Sequence, residues 1–191
     1  LVVSIKANSN EELLKRTKHA FQDGIEVASD GELNRVLTVY SGPITYNAPL
    51  LRKETALKLF RRGGKIIIDS MEQLVLVSQL FAAEPGAQGS GIKLSFRMKS
   101  DLLYKGHDNH FGLDRGELLA CCEFAQRAAV PVEGLHTFAG SLTFPQRSLE
   151  VTRFLELVQQ AELALGTPFK SVGLGGGFIS GKSKCLSGID L

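Results

Sequence analysis

What most constrains this chain is a regular alternation between short β-branched runs and longer amphipathic stretches. The runs are residues 2–5, 25–28, 44–46, 65–68, 92–96, 132–135 and 171–174. Between them, apolar residues recur three and four apart over 11–21, 32–40, 53–62, 72–81, 115–129 and 149–165, the spacing of one helical face. The runs are short and apolar, as expected of strands covered on both faces. Glycine and proline punctuate the joins at Gly24, Gly31, Gly42-Pro43, Gly63-Gly64, Pro85-Gly86 and Gly166-Thr167-Pro168. Strand–helix repetition of this kind builds right-handed βαβ units on a parallel sheet. Seven such strands favour an α/β fold of the (β/α)8 TIM-barrel type with the eighth strand missing; an open doubly wound sheet is the alternative. The polar stretch 99–109 follows a strand end, where a barrel keeps its functional loops.

Composition narrows the function. With 191 residues, 43% hydrophobic and 22% charged, the chain can bury one large core as a globular domain. A net charge of +2 with scattered basic residues argues against nucleic acid or an anionic membrane as partner. No apolar run is long enough to span a bilayer, and residues 1–6 carry no secretory leader pattern. Cys121, Cys122 and Cys185 form no paired framework and have no ligand-spaced neighbours. Reduced thiols in the cytoplasm are expected, without a cysteine nucleophile or a metal. The chain starts inside a strand-like run and stops on Ile189-Asp190-Leu191, which suggests a barrel incomplete at both ends and a piece of a longer protein.

Four constellations could carry chemistry. Lys6 ends the first apolar run; turned inward, its amine would be desolvated and available to attack an aldehyde, and turned outward it is an ordinary snorkelling lysine. Gly175, Gly176 and Gly177 follow the last run; their backbone can form a nest for a phosphate, or simply a tight turn. Residues 134–141 run out into polar and small residues. There Ser141 can donate to a phosphate oxygen, and Phe138 can stack on an aromatic cofactor or pack in the core. His136 reads either as a satisfied, partly buried histidine or as a proton carrier titrating near neutrality. Glu26 sits on a strand; if inward, it needs a cationic or hydrogen-bonding partner such as Lys6, and if outward it is solvated.

In their order along the chain, these blocks resemble the fold-type III pyridoxal phosphate decarboxylases, the group containing diaminopimelate, ornithine and biosynthetic arginine decarboxylases, with an alanine-racemase-like barrel. Ser4-Ile5-Lys6-Ala7-Asn8 is similar to the segment around the family's cofactor lysine. Residues 26–33 resemble its D-x-A-S-x-G-E-L block, Tyr46-Asn47-Ala48-Pro49 its next strand end, residues 68–74 its D-S-x-x-E-L block, and His110-Phe111-Gly112-Leu113 its K-F-G-I block. Residues 134–141 resemble G-L-H-x-H-x-G-S, and residues 175–178 are its G-G-G-F block.

The resemblance implies that residues 1–191 are a pyridoxal phosphate-binding barrel domain. Lys6 would carry the cofactor, Gly175, Gly176, Gly177 and Ser141 would hold its phosphate, and His136 would serve catalysis. Phe138 falls where the family has a ring-stacking histidine, Glu26 where it has an aspartate, and His110 where it has another basic residue. Ser95 falls where an arginine commonly sits, with Arg97 two positions on as a substitute. These departures fit a divergent branch, such as decarboxylases of amino-acid-bearing siderophore or antibiotic precursors. The reaction implied is decarboxylation of a small amino-acid substrate by a homodimer. The family's later segments, including a C-terminal β domain, do not follow Gly177; Cys185 and Asp190 come too early to match its cysteine–aspartate motif. The chain alone is therefore expected to be inactive or weakly active. A non-catalytic homologue that binds cofactor or a partner, and a racemase or cofactor-carrier barrel, are the competing readings.

Overall fold

Seven parallel strands alternate with six helices in the computed structural model, which describes residues 2–17, 19, 23–83, 91–100 and 110–178. Strand β1 (Val3–Ser4) leads through a single 3-10 turn (Ile5–Ala7) to α1 (Glu11–Thr17). Then come β2 (Ile25–Val27), α2 (Asp30–Val39), β3 (Ile44–Tyr46), α3 (Lys53–Arg62), β4 (Lys65–Ile68), α4 (Met71–Ala83) and β5 (Lys93–Lys99). The chain continues through α5 (Arg115–Arg127), β6 (Val132–Leu142), α6 (Phe144–Leu165) and β7 (Ser171–Phe178). Cys185, Asp190, the Pro85-Gly86 join and most of the polar stretch 99–109 lie outside the described residues.

The sheet order is β1-β2-β3-β4-β5-β6-β7, with every pairing parallel. Among the described residues no strand order reverses, so the sheet has no switch point of the doubly wound kind there. Contacts across the sheet show that it curls. The Lys65 ammonium on β4 donates to Ser171 Oγ on β7 at 3.3 Å. In a flat sheet three strand spacings would hold those backbones about 14 Å apart. The Lys6 ammonium, just past β1, lies 5.1 Å from the Phe138 ring centroid on β6. The expected incomplete barrel is therefore the fold, and the open-sheet alternative is excluded.

The core lies between the sheet and its helical jacket. Ile25, Val27, Ile44, Tyr46, Ile66, Ile68, Leu94 and Phe96 are buried there with Leu33, Val36, Leu59, Leu74, Val77 and Leu118 from the helices. Glu26, Thr45, Lys65, Arg97 and His136 instead line the lumen. Apart from Ile67 on β4 and Phe138 on β6, the lumen face of these strands is polar, a period of two rather than the continuous apolar run expected.

Several boundaries also move. β5, β6 and β7 extend past their apolar runs to Lys99, Leu142 and Phe178, because ladder pairing continues through polar and glycine residues. α6 starts at Phe144, not at 149: Gln146 Oε1 accepts from Thr143 N at 2.9 Å, and Pro145 occupies the first turn.

Candidate functional site

The barrel lumen is a cavity of about 1680 Å³ that gathers Lys6, Glu26, His136, Phe138, Ser141 and the glycines 175–177. Lys6 stands in the 3-10 turn after β1, where it lines the lumen yet is exposed, so its amine is not the desolvated one that the inward alternative described. Among the described residues no strand closes the seam between β7 and β1, so water reaches it. Its ammonium sits over the Phe138 ring, within cation–π reach.

Glu26 faces the lumen from β2, but its partner is an amide. Asn47 Nδ2 donates to Glu26 Oε2 at 3.1 Å, and Arg97 Nη1 donates to Asn47 Oδ1 at 3.4 Å. Arg97 Nε lies 3.8 Å from Asp69 Oδ1, each residue being 9% exposed. This chain crosses the wall from β2 to β5. Burial raises the Asp69 carboxyl above its ordinary range, an effect that the Arg97 guanidinium opposes. Burial likewise lowers Arg97, against the pull of Asp69 and Glu26. Arg97 also lies 5.4 Å from the Phe111 ring centroid. Ser95 is buried one step down the strand against Gly134, so of these two β5 positions it is Arg97 that places a cation in the lumen.

His136 is level with Arg97 on β5 and Gly173 on β7. Burial, followed by the charges of Arg97, Lys65 and Lys6, pulls its pKa down to about 4. It is therefore a neutral imidazole at physiological pH. Titration near neutrality, raised from the sequence, does not hold, because burial first, and then the charges of Arg97, Lys65 and Lys6, disfavour the protonated ring.

The glycine block is the middle of β7 rather than a loop after it. A Cβ at 173 would lie 2.6 Å from His136 Nδ1, and one at 175 would lie 2.9 Å from Phe138 Cδ2. Only glycine lets β7 pass behind these two side chains. Ser141 is opposite Gly177, with its hydroxyl 3.3 Å from the Cβ position there. One wall of the cavity is therefore bare backbone with a hydroxyl beside it, an aromatic ring packs against that backbone, and a primary amine lies over the ring. This donor set fits a flat aromatic aldehyde carrying a phosphate.

Sequence reading missed Arg147, although a signal was available. On α6 the buried residues are Arg147, Glu150, Phe154, Leu157, Val158, Ala161 and Leu165, so the arginine and glutamate fall on the helix's own apolar stripe. Cys121 and Cys122 are free thiols that burial pushes up to about 12, which removes them as nucleophiles. Among the described residues no group of three histidine, cysteine or acidic side chains could hold a metal, and no helix is long and apolar enough to cross a membrane.

Comparison with known proteins agrees with this geometry. A family model described as "Pyridoxal-dependent decarboxylase, pyridoxal binding domain" matches residues 1–185. The arginine decarboxylase of Paramecium bursaria Chlorella virus, solved with agmatine, superposes with a TM-score of 0.72 at 19% identity, covering 99% of this chain and 50% of that one. A lysine/ornithine decarboxylase from Vibrio vulnificus, solved with cadaverine, gives 0.70 at 19% identity, covering 99% and 48%. An alanine racemase from Acinetobacter baumannii gives 0.61 at 15% identity, covering 91% and 54%. The chain thus spans about half the length of these solved proteins, and at such identities the likeness is one of fold. No curated protein matches the chain. With a lysine, an aromatic ring and a glycine wall converging in the lumen, and with 185 of its residues in the family's pattern, the chain belongs to the pyridoxal-binding domain of the pyridoxal-dependent decarboxylases, and pyridoxal phosphate is its cofactor.

Proposed function

We propose that this chain is the cofactor-binding barrel of an enzyme that removes a carboxyl group from an amino acid or an amino-acid-bearing intermediate. In that reading Lys6 holds the cofactor aldehyde. Phe138 packs on the ring face, and the backbone of Gly175, Gly176 and Gly177 with the Ser141 hydroxyl takes the phosphate. When bound, the pyridoxal ring supplies the electron sink for the pair left as carbon dioxide departs. Neutral His136 can give or accept a hydrogen bond in the lumen but carries no charge to the ring. Arg97 supplies a fixed positive charge, held by Asn47 and Asp69.

The observation that carries the reading is one contact chain. Lys6 lies over Phe138, and Phe138 in turn packs against Gly175. The three are within the span of a single cofactor-sized molecule. Substrate class follows the departures at Phe138 and Glu26, which support a divergent branch such as decarboxylases of siderophore or antibiotic precursors. We further assign the working enzyme to a cytoplasmic homodimer with additional sequence. The half-length match and the open β7–β1 seam support that assignment, as do the buried free thiols.

The test uses the full chain. Pyridoxal phosphate should give the absorbance band of a lysine-bound aldehyde, and Lys6→Ala should abolish it. Carbon dioxide release from a panel of amino acids should depend on Lys6. The exposure of Lys6 favours a second reading, a homologue that binds cofactor without turnover. A normal band with no carbon dioxide from any substrate would decide for that second reading. A band that survives Lys6→Ala would sink both.

A further inference from the structure

We infer that Arg147 is a positioning residue that sets the shape of the glycine wall for a phosphate group, an inference that rests on the cofactor reading above. Strands β6 and β7 pair regularly from Gly134↔Ser171 to Phe138↔Gly175, then resume at Ser141↔Gly177. Ala139 and Gly140 therefore oppose Gly176 alone, two residues against one, which is a β-bulge. Gly140 and Gly176 have φ of +69° and +104°, a region that side chains disfavour. A Cβ on Gly176 would lie 2.1 Å from Gly140 O, so the two backbones approach as only glycine allows.

A bulge takes backbone carbonyls out of the ladder, and buried carbonyls need other donors. Arg147, from the first turn of α6 and 7% exposed, supplies them. Its Nη1 donates to Gly175 O at 3.2 Å, and its Nη2 to Gly140 O at 3.1 Å and Gly177 O at 3.0 Å. Glu150 Oε2 accepts from Nη1 at 2.6 Å and balances the charge; Glu150 is 3% exposed.

A buried ion pair is a costly way to gain stability, and its best-attested use is to specify one geometry. A guanidinium fork reaches three carbonyls at once, which a lysine ammonium cannot do with the same fixed angles. Carbonyls tied to Arg147 cannot turn toward an incoming anion, which their dipoles would repel. Arg147 therefore acts through Gly140, Gly175 and Gly177 and touches neither substrate nor cofactor.

The test compares pyridoxal phosphate with pyridoxal, which lacks the phosphate, by absorbance titration of the full chain. The parent chain should prefer the phosphate ester. Arg147→Lys should lower that preference about tenfold while leaving pyridoxal affinity unchanged. Gly140→Ala is the companion variant, because its Cβ meets nothing within 4 Å and only strains the bulge. It should lower the preference in the same direction, by less, and it decides the matter if Arg147→Lys does not fold. Equal weakening of both aldehydes, or an unchanged preference in a folded variant, overturns the inference. A parent chain that binds neither aldehyde overturns the cofactor reading, and this inference with it.

Discussion

His136 shows how a residue's surroundings can reverse the role its type suggests. In the unfolded chain its imidazole titrates near the ordinary 6.5; in the fold it titrates at about 4. Between those values the unfolded chain binds a proton that the folded chain refuses. Stability from this residue is therefore complete above about pH 6.5, falls as pH drops, and stops falling below about pH 4. The full loss is up to about 3 kcal/mol. His136→Gln, which cannot titrate, should flatten this part of the profile when denaturant midpoints are compared at pH 7 and pH 5. An unchanged slope would show that His136 is not the buried neutral group described. Lys6 and the glycine block were legible because a lysine after a strand and three consecutive glycines are rare and carry their own chemistry. The His136 pKa was not, because the burial of the ring, and the approach of Arg97 and Lys65 from two other strands and of Lys6 from the turn after β1, exist only in the fold. Arg147 was passed over because apolar spacing starts the helix at 149, which leaves the arginine in the preceding join, apart from Glu150.

At the scale of the element, several blocks that resemble the family turn out to fasten strands to helices. At the β2–α2 join, Ser29 Oγ accepts from Glu32 N at 3.2 Å and Glu32 Oε2 accepts from Ala28 N at 2.8 Å, a reciprocal cap. Asp30 then collects Tyr46 Oη at 2.9 Å and Thr55 Oγ1 at 2.8 Å, locking α2 to β3 and α3. At the β4–α4 join Gln73 Oε1 accepts from Asp69 N at 2.9 Å. Element type was legible from periodicity because the helix-facing side of each strand is apolar. The ends of β6, β7 and α6 were not, since backbone pairing and a polar cap, rather than apolar spacing, determine them. Two glycines separate propensity from packing. Gly31, in the first turn of α2, would offer a Cβ only a 3.9 Å contact with Ser29 Oγ, so Gly31→Ala should stabilise by about 0.5–1 kcal/mol. In β7 the same exchange at Gly173 gains a similar amount in the unfolded chain but drives a methyl to 2.6 Å from His136 Nδ1. Overpacking costs about 1–3 kcal/mol, so Gly173→Ala should destabilise on balance. Chemical denaturation of the two variants should give shifts of opposite sign; two stabilising shifts would mean that β7 does not press on the imidazole.

Across the whole molecule, order should grade from one edge of the sheet to its centre. β1 is two residues long and, among the described residues, pairs only with β2. β5 and β6 are seven and eleven residues long, pair on both sides, and pack outward on α5 and α6. Among the described residues β7 pairs only with β6, and on it Val172 and Leu174 are about half exposed. Backbone amides should therefore exchange slowest in β5 and β6 and fastest in β1 and the turn that carries Lys6. A ligand held by Lys6 at one end and by residues 175–177 at the other ties together the first and last described strands, which share no hydrogen bond. At a hundredfold excess over its dissociation constant it stabilises the closed form by about 2.7 kcal/mol, or about a hundredfold in opening. Most of that protection should appear where opening was easiest. Hydrogen exchange with saturating pyridoxal phosphate should therefore slow β1 and β7 together, more than β3 or β4. Slowing confined to β7 would mean that the phosphate is held while the aldehyde is not. Slowing spread evenly over the sheet would mean that the ligand binds without bridging the seam, and Lys6 would lose its claim to the cofactor.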